Sequence, residues 1–147
     1  MPALTINKKA RFDYQILETF EAGIVLTGQE VKSVRSGGAR LTGSFVTLHG
    51  NTPLLTNALI PLYKHAAISK DYIPDSSRKL LLKKREINHL RGKLEQKGLT
   101  IGPLSLYTSG RLIKLEIGLA QGKKTLDKRH SLKERDVKRE IARKLKE

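Results

Sequence analysis

The sequence predicts a mainly β protein, a small closed antiparallel six-stranded barrel with short flanking helices, followed by a basic C-terminal tail. Three observations carry that expectation. Short apolar-patterned runs recur through residues 1–120, separated by Gly, Pro, Asn and Ser clusters. Residues Leu112 to Leu119 alternate with a period of two, so that Ile113, Leu115, Ile117 and Leu119 share one face. Residues 121–147 break that pattern, with 11 Lys/Arg against 5 Asp/Glu, and carry +6 of the chain's +15. Closure suits a body made of short antiparallel strands, because it removes the sheet edges that invite aggregation.

Each element has its own warrant. Asn7-Lys8-Lys9-Ala10-Arg11 reads as a basic lead-in. Residues 13–20 place Tyr14, Ile16 and Phe20 among polar neighbours, a strand with one buried face. Glu21-Ala22-Gly23 reads as a turn, with Ile24-Val25-Leu26 as a short β-prone strand after it. Thr27-Gly28-Gln29-Glu30 matches a capping box, in which a hydroxyl and a carboxylate satisfy each other's backbone N–H. Val31 and Val34 then fall on one face of a short helix that Gly37-Gly38 stops. Phe45–His49 and Leu54–Ile60 read as a hairpin around Gly50-Asn51-Thr52-Pro53. Residues 61–78 read as irregular and in part mobile, given Pro61, Pro74 and Asp75-Ser76-Ser77. Arg78 to Arg85 is a mixed basic and apolar junction. Ile87, Leu90 and Leu94 have helical spacing, ended by Gly98. Leu99–Tyr107 and Leu112–Leu119 are the final strands, joined at Ser109-Gly110. The tail has a second capping box, Ser131-Leu132-Lys133-Glu134. The pairs Glu134–Lys138 and Glu140–Lys144 each add roughly 0.2–0.5 kcal/mol of helix support. A helix so short is marginal alone, so the tail is expected to be disordered when free and helical when bound.

Composition bounds the function. A basic body with a basic tail points to nucleic acid, with affinity that falls steeply with salt. The tail's apolar residues, Leu126, Leu132, Val137, Ile141 and Leu145, are too few for a membrane-bound amphipathic helix, so no membrane partner is expected. Without cysteine there is no disulfide and no thiolate metal site, which fits a cytoplasmic protein. The N-terminus lacks the apolar region of a secretory signal, and no stretch approaches transmembrane length. The histidines His49, His65, His89 and His130 have no ligand spacing. No nucleophile elbow or Walker loop appears. Asp127-Lys128-Arg129 sets an acid beside two bases, but neighbours on a loose tail are poorly preorganised for catalysis. The expectation is therefore a non-enzyme without cofactor or metal. Phe12 follows Arg11 and reads equally as a stacking platform or as core.

Six ordered blocks then carry a resemblance. They are Asn7-Lys8-Lys9-Ala10-Arg11, Phe20-Glu21-Ala22-Gly23, Gln29-Glu30-Val31-Lys32-Ser33, Arg78-Lys79-Leu80-Leu81-Leu82, Gly122-Lys123-Lys124 and Asp127-Lys128-Arg129. Together they closely resemble the SsrA-binding protein family, small protein B, across nearly the whole chain. The resemblance implies an OB-like barrel over 1–120 and a basic tail over 121–147. It implies binding of one protein monomer to one transfer-messenger RNA, chiefly at the tRNA-like domain, and delivery to stalled ribosomes for trans-translation and ribosome rescue. There the tail would run through the decoding region into the empty mRNA channel.

The same resemblance implies an RNA-facing set of Asn7, Lys8, Arg11, Glu21, Lys79, Leu81 and Lys114. Lys114 can meet a phosphate and Asn7 can donate to one. Glu21 has two readings: acceptor from a base amino group or a 2′-hydroxyl, or a hairpin-end carboxylate bonded to backbone or a nearby Lys. Leu81 packs either on a nucleobase or in the core, since Leu80 to Leu82 is a continuous apolar run. In the tail, Gly122, Lys123, Lys124, Asp127, Lys128 and Arg129 match the motif tied to ribosome contact. Gly122 would turn the chain away from the barrel, and the bases would engage ribosomal RNA phosphates. Leu126 departs from the histidine or aromatic of some relatives, and a leucine side chain cannot hydrogen-bond. The alternatives are a structural ribosomal protein or OB-type translation factor on ribosomal RNA, which should lack the six blocks, and an RNA-modifying enzyme, which should show a nucleophile or metal set.

Overall fold

The computed structural model describes residues 3–66 and 71–122. They form a mainly antiparallel sheet with a few helices. The strands are β1 (Ala3–Ile6), β2 (Tyr14–Ile24), β3 (Phe45–His49), β4 (Thr52–Thr56), β5 (Arg78–Leu81), β6 (Leu99–Ser109) and β7 (Leu112–Gly122). The helices are α1 (Lys8–Asp13), α2 (Gly28–Arg35) and α3 (Lys84–Leu94). The strand order is β1-β6-β3-β4-β5-β2-β7, and β6 pairs additionally with β7.

The long β2, β6 and β7 dominate. Glu21 lies opposite Glu116, Gly23 opposite Lys114, and Tyr107 opposite Lys114. Alternation sends Ile113, Leu115 and Ile117 inward as the sequence pattern requires, and all three are buried. Ala22, Leu55, Leu80, Leu90, Ile101 and Leu106 complete the same core from the other strands and α3.

The capping-box expectation at Thr27 holds. The Glu30 N–H donates to the Thr27 hydroxyl, and the Thr27 N–H donates to Glu30 Oε1 at 3.0 Å. Val34 is fully buried and Val31 packs against the core. Gly37 ends this helix with φ +83°, a backbone setting that favours glycine. The hairpin of β3 and β4 forms with its turn at Gly50-Asn51, and α3 forms with Gly98 after it.

Several expectations are corrected. The described residues hold more elements than the expected six strands and two helices. Glu21-Ala22-Gly23 is no turn: β2 runs unbroken to Ile24, because buried Ala22 pairs with Leu115 and Gly23 pairs on both sides. Glu21 is therefore not at a hairpin end, although its carboxylate does have a nearby Lys, with Lys114 Nζ 3.9 Å away. The basic lead-in is the helix α1, started by Asn7, whose side-chain oxygen accepts from the Ala10 N–H at 3.2 Å. Arg78–Leu81 is a strand rather than a junction, with Arg78 and Leu80 inward and Lys79 and Leu81 outward. β4 ends at Thr56, where Asn57 takes φ +66°, so the returning strand is shorter than expected. Residues 67–70 of the expected irregular segment lie outside the described residues.

Arg78 explains why that short strand belongs. Its side chain is 3% exposed and faces Glu30, itself 8% exposed. Nε and Nη2 donate to Glu30 Oε2 at 3.0 and 2.9 Å. The remaining donors reach the carbonyls of Ala58, at 2.7 Å, and Pro74, at 2.8 Å. One guanidinium thus ties α2, the segment after β4 and the segment before β5. Burial pushes the Glu30 carboxyl up, but the Thr27 N–H, the guanidinium and the Thr27 hydroxyl together outweigh it and hold it below its ordinary 4.5.

Candidate nucleic-acid interface

Register places most of the expected RNA-facing residues on one outward face. Lys79 and Leu81 point outward from β5, Glu21 and Gly23 from β2, and Lys114 and Glu116 from β7. Tyr107 joins them from β6, beside Lys114. Arg11 reaches in from α1 and donates to Glu116 Oε1 at 3.0 Å. Lys8 is exposed on that helix.

Glu21 and Glu116 sit directly across the β2–β7 pair, a like-charge juxtaposition that opposes pairing. Their neighbours offset it. Tyr107 donates its hydroxyl to Glu21 Oε2 at 2.6 Å, Lys114 Nζ lies 3.9 Å from Glu21 Oε1, and Arg11 holds Glu116. Glu21 is still more than half exposed, so it has accepting capacity left for a ligand. Burial raises the Tyr107 phenol pKa strongly; the bond to Glu21 and the charges of Glu21 and Glu116 raise it further. A raised pKa means that the folded state prefers the neutral phenol. Its contribution to stability is full below the ordinary value of 10.0 and fades as pH climbs through the folded value. A phenolate absorbance titration should therefore contain a late step that Tyr107→Phe removes, and an unaltered titration curve would contradict the Tyr107–Glu21 hydrogen bond.

Leu81 resolves between its two readings by position. Leu80 is buried and Leu81 is 56% exposed, so Leu81 is a surface side chain. Asn7 goes the other way, which corrects its expected role as a phosphate donor. It is buried at 4% exposure, and Nδ2 donates to the Pro103 and Leu41 carbonyls at 3.0 and 3.4 Å. With its oxygen on Ala10, its side-chain hydrogen bonds are spent inside the protein. It anchors α1 to β6 and so positions Lys8 and Arg11. Gly122 is the last residue of β7, opposite Tyr14. Lys123, Lys124, Asp127, Lys128 and Arg129 lie outside the described residues.

Tyr107 and Glu116 were not anticipated. Glu116 was findable, since it shares the outward side of β7 with Lys114 at a spacing of two. Tyr107 needed the β6–β7 register, which a single sequence does not print. Beside α1 there is also a cleft of about 310 Å³, lined by Asn7, Lys9, Tyr14, Phe45 and Pro103 among others. Among the described residues no group of three or more His, Cys, Asp or Glu is placed to hold a metal, and no helix is long and apolar enough to cross a membrane.

The outward face is thus a mixed cationic, acidic and apolar strip on a mainly antiparallel sheet. Comparison with known proteins is specific. The sequence model of one family, described as SmpB protein, matches residues 4–147. An SsrA-binding protein of Gloeobacter violaceus is 50% identical over 141 residues, covering 95% of this chain and 91% of the relative. One of Coprothermobacter proteolyticus is 50% identical over 146 residues, covering 97% and 96%. A solved structure described as "tmRNA-SmpB: a journey to the center of the bacterial ribosome" contains a chain 47% identical to this one. It superposes with a TM-score of 0.68, over 82% of this chain and 84% of that one. The chain belongs to the SmpB protein family.

Proposed function

We propose that this chain is a non-enzymatic RNA-binding protein of the cytoplasm that binds transfer-messenger RNA and delivers it to stalled ribosomes for trans-translation. The observation that carries the reading is the gathering of Arg11, Glu21, Lys79, Leu81 and Lys114 on one outward face. The names of the relatives, SsrA-binding proteins, and the ribosomal setting of the solved neighbour support it. Lys79, Lys114, Lys8 and Arg11 supply charge for phosphates, Glu21 accepts from a base amino group or a 2′-hydroxyl, and Leu81 supplies an apolar contact.

The body serves as an OB-like closed barrel. The additional β6–β7 pairing supports closure, because it links the last strand in the order back to β6. The tail, expected over 121–147 but leaving β7 only after Gly122, takes up the ribosome: Lys123, Lys124, Lys128 and Arg129 engage ribosomal RNA in the decoding region, and the segment becomes helical in the mRNA channel. One protein monomer binds one RNA.

The test is a binding titration of the full chain with transfer-messenger RNA, ordinary tRNA and 5S-type RNA across a salt series. Preference for the first is the expected result, and equal affinity for all would overturn the reading. Lys114→Glu should weaken binding and flatten the dependence of log affinity on log salt by about one phosphate's worth. An unchanged slope would remove Lys114 from the contact set.

A further inference from the structure

The cleft beside α1 shares no residue with the strip of Arg11, Glu21, Lys79, Leu81 and Lys114. Its floor lies where β2, β7 and β6 run side by side: Ile16 pairs with Ala120, and Ala120 with Thr100. The helix α1 lines it through Lys9, Ala10 and Asp13, and the segment from Thr42 to Phe45 lines it as well. Gly102 leaves the space open. It has no positive φ, and a Cβ there would meet nothing within 4 Å, so neither a turn nor close packing calls for glycine. Two rings of the lining, Tyr14 and Phe45, are 37% and 40% exposed, apolar surface that another side chain would cover. The cleft measures about 310 Å³, the small end of the range for binding pockets, about 300–1,000 Å³. Tyr14 is also the residue opposite Gly122, the last of β7. The cleft therefore lies where the chain leaves the sheet.

We infer that this cleft docks the chain's own tail and that Leu126 is the side chain it takes. This docking is independent of the RNA-binding reading, since it involves no partner. Leu126 is the first apolar residue after Gly122. Four residues span at most about 14 Å, whereas Lys9 and Asp13, one turn of α1 apart, are separated by about 6 Å along the helix, so the far end of the cleft is within reach. Gly122 lets the chain turn back over the sheet. Charge runs in the matching order. Asp13 adjoins Tyr14 and hence the exit, and Lys9 lies one turn farther on the same face of α1. Lys123 and Lys124 precede Leu126, and Asp127 follows it. A tail folded back with Leu126 in the cleft sets its lysines at Asp13 and Asp127 at Lys9. Leu132, the next apolar residue, reaches the cleft only through a longer and entropically costlier loop. The residues beyond Asp127 are left available to another surface.

The experiment is NMR on the full chain without RNA, comparing wild type, Leu126→Ser, Gly102→Val and, as a control, Val137→Ser, with melting curves to establish folding. In the wild type the amides of residues 123–127 should show restricted motion. Leu126→Ser should free them and shift the amides of Tyr14, Ser44 and Gly102, whereas Val137→Ser should do neither. Gly102→Val fills the hollow from the floor without a clash, so it should keep the melting transition and free the same residues. Trypsin should then cut after Lys123 and Lys124 about three- to tenfold faster in Leu126→Ser and Gly102→Val than in wild type, as for loss of one local apolar contact. If Gly102→Val folds poorly, Phe45→Ser, which removes an exposed ring of the lining, stands in for it. Equal mobility of residues 123–127 in wild type and Leu126→Ser would overturn the docking. Release by Leu126→Ser but not by the altered cleft would overturn this cleft as the site. Shifts that grow with protein concentration would give the cleft to the tail of a second copy, and the intramolecular proposal would fail.

Discussion

Replacing Arg78 with methionine should cost this protein about 3–5 kcal/mol of stability, the range for removing one partner of a buried ion pair. The loss comes less from the missing attraction than from what stays behind. Glu30 would keep its carboxylate in a site that is 8% exposed, and the carbonyls of Ala58 and Pro74 would lose their donor. Chemical denaturation near neutral pH reads the loss directly. The pH dependence gives a second check with a definite sign. In the wild type, the depressed Glu30 pKa adds stability above 4.5 that is lost as pH falls through the folded value. In the variant, burial without a partner favours the protonated acid, so acid relieves the defect. The stability gap between the two proteins should therefore narrow on acidification in two stages, first above pH 4.5 as the stranded Glu30 of the variant takes up its proton, then below 4.5 as the wild type loses its own contribution. A double variant, Arg78→Met with Glu30→Leu, should recover much of the stability, since it removes the stranded charge. Equal stability of Arg78→Met and wild type near pH 7 would show that the pair contributes nothing.

Truncation after Gly122 should separate two activities completely. β7 ends at Gly122, and its pairing with Tyr14 is kept, so melting should be unchanged. The outward strip is also kept, so affinity for transfer-messenger RNA should fall only severalfold, from loss of the tail's long-range charge. Tagging of stalled peptides should fall to background, because the segment assigned to the ribosome is gone. The measurement is peptide tagging in a translation system supplied with the truncated chain. Persistent tagging would contradict the assignment, and loss of most RNA affinity would contradict the division between body and tail.

What could be read from the sequence followed the usual separation of apolar from polar, and what could not be read departed from it. β7 was plain because its inward residues are aliphatic and most of its outward ones are polar. α2 was plain because Thr27 and Glu30 are a complete local signal, independent of the rest of the fold. β5 was hidden because its alternation is inverted at both ends: the buried residue is Arg78 and the exposed one is Leu81. The inversion at Arg78 has a tertiary cause, the buried Glu30 carboxylate that it pairs with. α1 has no buried residue and hence no periodicity. Its one signal was Asn7, a residue type as much at home capping a helix as touching a phosphate. At the site, Glu21 is legible in one of the six blocks and Lys114 through the family resemblance outside them, whereas Tyr107 depends on pairing between strands. Gly23 reads as a turn residue in the sequence because glycine there announces freedom more often than proximity.

The length of β7 has a mechanical consequence. Leu112 is its first residue and Gly122 its last, and 11 residues at about 3.4 Å each set them up to roughly 35 Å apart on one hydrogen-bonded strand. On the proposed reading, one end carries Lys114 and Glu116 of the RNA-facing strip and the other leads into the cationic segment, so β7 would act as a strut that holds cargo and docking point apart by the length of a single strand.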